Sequence, residues 1–238
     1  MIERHSMQTL KVLSALLCYP DEAWLQAPDE LIEILEEEAV LPPEKREAVR
    51  AFIQGLASLD LMDAQSDYVE TFDRGRSLSL LLFEHVHGES RDRGQAMVDL
   101  MNVYTANGFE VTANELPDYL PLFLEYLSQR PAEEAVSWLG DVHHVLVLLQ
   151  ARLEQRGNRY RVLFDALLSL VEANVDLEAV RATVAEEERD DTPEALDKVW
   201  EEEAVRFGAD PQQGCPSTTV GQEHAVPVAS VKRYRRNS

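Results

Sequence analysis

Between Tyr68 and Met97 the chain reads YVETFDRGRSLSLLLFEHVHGESRDRGQAM, a dense set of residues able to do chemistry. Four arginines (Arg74, Arg76, Arg91, Arg93), two histidines (His85, His87) and three glycines (Gly75, Gly88, Gly94) surround an apolar run, LSLLLF. Metal chemistry is the first candidate. His85 and His87 are two residues apart, which on a helix puts them on different faces, whereas zinc-binding pairs favour i, i+4. His143 and His144 are adjacent and share the problem, and no cysteine or carboxylate cluster completes a set. No metal site is expected. Nucleophilic catalysis fails on context. Ser77, Ser79 and Ser90 lie near the histidines, but nothing resembles a strand-turn-helix elbow. Glycine-rich phosphate loops are missing as well. The segment reads as a binding site and the chain as a non-enzyme.

The arginines admit two readings. Ser90 is well placed to cap a helix, which puts Arg91 and Arg93 in its first turn beside Asp92. Cations there oppose the helix dipole and cost a few tenths of a kcal/mol each, roughly, unless an anion compensates. One reading is an ion-pair network of Arg74, Arg76, Arg91, Asp92 and Arg93 with neighbours such as Glu84, Glu89 and Asp73. The other is an anion or carboxylate grip, for which the planar guanidinium fork is suited.

A second segment is Glu115-Leu116-Pro117-Asp118-Tyr119-Leu120-Pro121. Pro117 can open a helix with Asp118 in its first turn, where a carboxylate suits the dipole. Tyr119, Phe123 and Tyr126 then fall on one stripe beside Glu115, Asp118 and Glu125. Aromatic side chains interleaved with carboxylates suit a peptide that carries apolar and basic groups. Core packing is the commoner use of such a stripe.

The elements that must position these residues are helical throughout. Apolar periodicity and breakers predict helices over 7–19, 29–39, 44–58, 62–72, 91–106, 118–129, 132–156, 159–173, 176–188 and 193–206. Pro43 stands at a helix start, with Val49, Phe52, Ile53 and Leu56 as the stripe behind it. Thr192-Pro193-Glu194 is an N-terminal signature. The class is all-α: a single-domain bundle of about nine to ten helices over 1–208, then a disordered tail over 209–238.

Composition sets the outer bounds. The chain has 238 residues, 45% hydrophobic and 28% charged, with ten glycines and a net charge of −22. Such acidity repels a phosphate backbone, so nucleic acid is not an expected partner; it would suit a basic peptide or a basic patch on another protein, although solubility is the commoner use of surface charge. No apolar run approaches the ~18 residues of a membrane span. The N-terminal apolar residues are helically spaced behind Glu3, so the segment reads as a first helix and the protein as cytoplasmic. Cys18 and Cys215 support neither a disulfide framework nor a metal site. In the last 28 residues Lys232, Arg233, Arg235 and Arg236 stand against Glu223, a basic end on an acidic chain.

Three motifs together, Tyr68–Asp73, Leu80–Met97 and Glu115–Pro121, resemble the respiratory nitrate reductase assembly chaperones, the delta-subunit family within the redox-enzyme maturation chaperones. The likeness spans about the first 175 residues, and the middle motif is long enough to be specific. Leu16-Leu17-Cys18-Tyr19-Pro20 and the helix order fit it too. The resemblance implies a dedicated chaperone with no cofactor of its own and no place in the finished enzyme. It would bind the N-terminal peptide of the nitrate reductase catalytic subunit in the cytoplasm, while the molybdenum cofactor is inserted and before membrane attachment. On that reading Tyr68, Phe72, Phe83, Tyr119 and Phe123 line a groove. Glu84, Glu115 and Asp118 meet basic client residues, and His85, His87, Arg91 and Arg93 shape its end. The wider group often carries a histidine where this chain has Tyr119, which leaves a stacking or hydroxyl contact there. The alternatives are a carrier that holds pterin-dinucleotide phosphates through the arginines and a purely structural helical adaptor.

Overall fold

The computed structural model describes residues 7–88, 90–111, 115–171, 177–195, 197 and 198. The chain divides into two units, Met1–Leu196 and Asp197–Ser238, and the helices below all belong to the first. Among the described residues there are twelve: α1 (Gln8–Leu17), α2 (Glu22–Leu25), α3 (Pro28–Glu38), α4 (Pro43–Ala57), α5 (Leu61–Phe72), α6 (Leu82–His87), α7 (Asp92–Ala106), α8 (Leu120–Ser128), α9 (Ala132–Asp141), α10 (His143–Gln155), α11 (Arg161–Leu168) and α12 (Leu177–Glu186). The all-α reading holds. The expected domain boundary at 208, the tail beyond it and most of the helix expected over 193–206 lie outside the described residues. That helix's start is described, with the Thr192 hydroxyl accepting from the Ala195 amide at 3.2 Å.

The core is built around α8. Its sequence is apolar on every side, and eight of its nine residues are buried, which suits a central helix rather than a surface one. The buried face of α1, with Leu10, Leu13, Leu16 and Leu17, packs against it. α3 and α11 also pack on α1, α4 lies against α3 and α11, and α10 packs on α11 and α12. Side chains from one helix cap another: the Glu38 carboxylate at the end of α3 accepts from the Gln8 and Thr9 amides that open α1 (2.8 and 2.6 Å).

Three departures from the expected elements matter. The span 132–156 is two helices, broken at Val142, whose backbone (φ −97°, ψ 3°) leaves the helical region. Gly140 and β-branched Val142 weaken the helix at that point. The run LSLLLF is not helical from its start. Leu78, Leu80 and Leu82 are buried while Ser79 and Leu81 between them are less so, the period of two that marks extended chain. Finally, α8 begins at Leu120 rather than 118. Leu81 and Tyr119 form an antiparallel bridge, with the Leu82 amide donating to the Asp118 carbonyl (3.0 Å) and the Leu120 amide to the Leu80 carbonyl (2.8 Å). That bridge joins the two motif segments.

Candidate functional site: an aromatic cleft with an acidic rim

Where the bridge meets α5 there is a cleft of about 250 Å³, lined by Tyr68, Phe72, Asp73, Ser79, Leu80, Leu81 and Tyr119. α5 supplies the first two, and Asp73 is its C-cap. The helix is fixed at its start by the Asp60 carboxylate, which accepts from the Asp63 amide (2.9 Å). Tyr68 is buried and its hydroxyl gives its one proton to the Leu17 carbonyl at the end of α1 (3.1 Å). The 3.1 Å contact between the two phenols therefore has Tyr119 donating to Tyr68. Burial pushes the Tyr68 phenol well above its ordinary range, and pushes Tyr119 up to about 12. Both stay neutral, so the floor of the cleft is an uncharged hydrogen-bonded aromatic pair. Tyr19, half exposed, stands edge-on to Tyr68 with centroids 5.6 Å apart, and Phe72 packs on the other side at 5.0 Å.

Around this floor the charge is acidic. The Cys18 thiol is raised to about 11, first by burial and then by the fields of Glu115, Glu125 and Asp21. Tyr119 is raised by burial and, among charged groups, by Glu115 and Asp73. Asp21, Asp73 and Glu115 are exposed, and Glu125 is partly so. Exposed Val69 and Leu116 add apolar surface on the same elements. A half-exposed ring, a phenolic floor and four carboxylates can accept an extended or helical segment with apolar and basic side chains.

The other expected residues fall into two groups. Glu84, Arg93 and Asp118 form a support beside the bridge. Arg93 donates to Glu84 at 3.2 Å and lies 3.9 Å from the Asp118 carboxylate. Asp118 is fully buried, and its Oδ2 accepts from the Phe83 amide (3.1 Å), so it caps α6 instead of the helix that follows it. Burial raises the Asp118 carboxyl above its usual range against the opposing pull of that hydrogen bond and of Arg93. Asp118 is therefore spent inside the protein and is not available to a client. Phe123 is corrected likewise. It is buried against Trp138 (6.2 Å), and Tyr126 packs on Tyr104 (4.6 Å). The expected stripe breaks up because Tyr119 lies ahead of α8 and does not share its face.

His85 is also committed. Its Nε2 lies 2.8 Å from the Ser79 carbonyl, which can only accept, so Nε2 carries the proton. Burial lowers its pKa, keeping the ring neutral. His87 and Phe83, both partly exposed, stack edge to face at 5.6 Å. The arginines do not converge on one ligand. Arg74 pairs with Glu70 (3.5 Å), Arg93 with Glu84, and Arg91 is exposed at the cap position of α7. Arg76 is exposed. Ser90 accepts from the Asp92 amide (3.2 Å), close to the cap expected of it. Of the two readings, structural ion pairing describes Arg74 and Arg93. Among the described residues no three His, Cys, Asp or Glu side chains are grouped to hold a metal, and no helix is long and apolar enough to cross a membrane.

Three residues beside the cleft, Cys18, Tyr19 and Asp21, carry no site role in the sequence reading, and Asp73 enters it only as an ion-pair neighbour. The signal for the first two was LLCYP, whose tyrosine reads as a helix end but faces the cleft because Pro20 stops α1.

Comparison with known proteins gives the chain's family. The nitrate reductase delta subunit model matches residues 38–166. The nitrate reductase molybdenum cofactor assembly chaperone NarJ of Escherichia coli K12 is 52% identical over 214 residues, 90% of each chain. The probable chaperone of the same description, NarW, from that strain is 45% identical over 216 residues, covering 91% of this chain and 90% of its own. The probable NarJ of Bacillus subtilis 168 is 35% identical over 171 residues, 69% of this chain and 88% of its own. The chain belongs to the nitrate reductase delta subunit family, the family of these assembly chaperones.

Proposed function

We propose that this chain is a cytoplasmic chaperone that binds the N-terminal peptide of a nitrate reductase catalytic subunit in the cleft at Tyr68 and Tyr119. The observation that supports the reading is a neutral aromatic floor of Tyr68 and Tyr119 with Asp73 in the cleft wall and the carboxylates of Glu115, Asp21 and Glu125 acting on the groups beside it. Apolar anchors of the client would enter beside Tyr19, Phe72, Leu81 and Tyr119, and its basic side chains would meet the rim. Phe83 and His87 offer a second aromatic contact beyond the bridge. The protein holds the apo-enzyme while the molybdenum cofactor is inserted and leaves before membrane attachment. Ordering a free peptide costs conformational entropy, which keeps affinity modest and release easy.

The carrier alternative, with arginines gripping pterin phosphates, draws less support because Arg93 and Arg74 already pair with carboxylates. Calorimetric titration with a synthetic peptide of the client's N-terminal segment tests the proposal. Binding that falls at least about tenfold in Tyr119→Ala is the expected result, on the scale of losing one aromatic anchor. Absence of binding to the native chain would overturn it.

A further inference from the structure

The acidic segment that follows α12, Glu187 to Asp191, is bound to Ser77, two residues before the segment that lines the cleft. Arg152 on α10 grips Glu187 with two parallel hydrogen bonds (2.7 and 2.9 Å) and donates a third to the Ser77 carbonyl (2.7 Å). Arg156, one turn on, donates to the Ser77 hydroxyl (2.6 Å) and to Asp190 (3.0 Å), and pairs with Asp191 at 3.2 Å. Ser77 completes the cradle, its amide and its hydroxyl both donating to the Asp190 carboxylate (2.7 and 2.6 Å). Gly75 is part of the fit: a Cβ there would lie 2.6 Å from the Asp190 carboxyl carbon. The two arginine side chains are only 14% and 9% exposed, so these charge-assisted bonds are shielded from water and strong for their kind. Two residues beyond Ser77 the same chain becomes the cleft wall, with Ser79 held by His85 and Leu81 held by the bridge.

We infer that Glu187, Asp190 and Asp191 form a strap that positions the 79–81 wall of the cleft, and that releasing it weakens client binding without unfolding the helices. This rests on the peptide-cleft reading above. Asp190 and Glu187 are positioning residues: they touch Ser77 and the arginines, and act on the peptide only through the wall. The strap comes from a part of the chain 113 positions from Ser77, so the site's geometry depends on a segment outside all three family motifs.

The experiment compares the full native chain with Asp190→Asn, Gly75→Ala and the double variant. The first removes the charge, and the second displaces the carboxylate by bulk without altering charge. Hydrogen exchange at the Ser77 amide reads the strap directly, and titration with the synthetic client peptide reads the wall. Either single variant is expected to speed Ser77 exchange by about tenfold or more while amides of α8 keep their protection. Each should weaken peptide binding roughly three- to tenfold, and the double variant should be no more than about twofold worse than the weaker single one, because both act on one contact. Faster Ser77 exchange with unchanged affinity in both variants would overturn the coupling, and so would unchanged exchange. Additive losses of affinity would also count against a shared strap. If the native chain binds no peptide, the cleft reading fails and the coupling falls with it. Tyr119→Ala separates the two, since it should weaken binding at least about tenfold while leaving Ser77 exchange unchanged.

Discussion

Replacing Asp118 by alanine removes the acceptor that closes the start of α6. Its carboxylate takes the Phe83 amide at 3.1 Å while its carbonyl takes the Leu82 amide at 3.0 Å. Only the first is lost on substitution. A lost cap of this kind costs about 1 kcal/mol, and a buried amide left without an acceptor raises that toward about 3 kcal/mol. Arg93 loses a weak partner at 3.9 Å and keeps Glu84 at 3.2 Å. Relief of the buried carboxylate's own desolvation acts in the opposite direction. The net expectation is about 2 kcal/mol, or a fall in Tm of roughly 4–8 °C at 2–4 °C per kcal/mol for a chain this size. Asp118→Asn keeps an oxygen for the Phe83 amide and should cost less than about 1 kcal/mol. Urea unfolding and thermal melts followed by circular dichroism measure both. A neutral alanine variant would refute the capping role. An asparagine variant as damaging as alanine would show that the charge, rather than the acceptor, holds the bridge. Burial raises the folded-state pKa of this carboxyl, so the native state binds its proton more tightly than the unfolded chain. Stability from this group is then present at low pH and declines as pH rises from about 4 through the folded value, a component that Asp118→Asn should flatten.

Other expectations follow from the same contacts. Tyr119→Phe removes the hydroxyl donated to Tyr68 and should cost about 1 kcal/mol in stability, measured by urea unfolding, while retaining most of the peptide affinity that Tyr119→Ala loses. Phe123→Ala opens a cavity beneath Trp138 and should destabilise by about 3–5 kcal/mol in the same assay, with peptide affinity at 10 °C changed little in the molecules that remain folded. For Asp190, burial raises the carboxyl but hydrogen bonds from Ser77 and Arg156 outweigh it, and for Asp191 the bond from Arg189 dominates; both end below the usual carboxylate range. A depressed folded pKa contributes stability above the unfolded value, lost as pH falls, so Ser77 amide protection, corrected for intrinsic exchange, should collapse below about pH 4 and not between 5 and 8.

The helices were legible wherever one face met a clear breaker. α4 is the plainest, with Pro43 in its first turn and Val49, Phe52, Ile53 and Leu56 all buried as the stripe required. Legibility failed where position depends on contacts distant in sequence. Tyr119, Phe123 and Tyr126 look like one helical face, but the bridge to Leu81 holds Tyr119 extended and ahead of α8, so only it reaches the cleft. Asp118 sits where a first-turn carboxylate would serve its own helix, and instead caps α6, a helix 35 residues away. The arginines of the central motif drew attention by density. Arg152 and Arg156, which hold the strap, did not, because their partners lie more than thirty positions along the chain. Composition and periodicity report on local structure, whereas the cleft is assembled from α5 and the two bridged segments, which lie far apart in sequence.

Photo-crosslinking tests the central claim most directly. A synthetic peptide of the client's N-terminal segment, carrying a photoreactive residue at successive positions, is irradiated with the native chain and the adducts are mapped by mass spectrometry. Adducts are expected at Tyr19, within 68–73, at 79–81 and within 115–119, reduced by excess unlabelled peptide and absent with a scrambled sequence. Adducts confined to other faces, such as those of α9 and α11, or no more than the scrambled peptide gives, would contradict that claim.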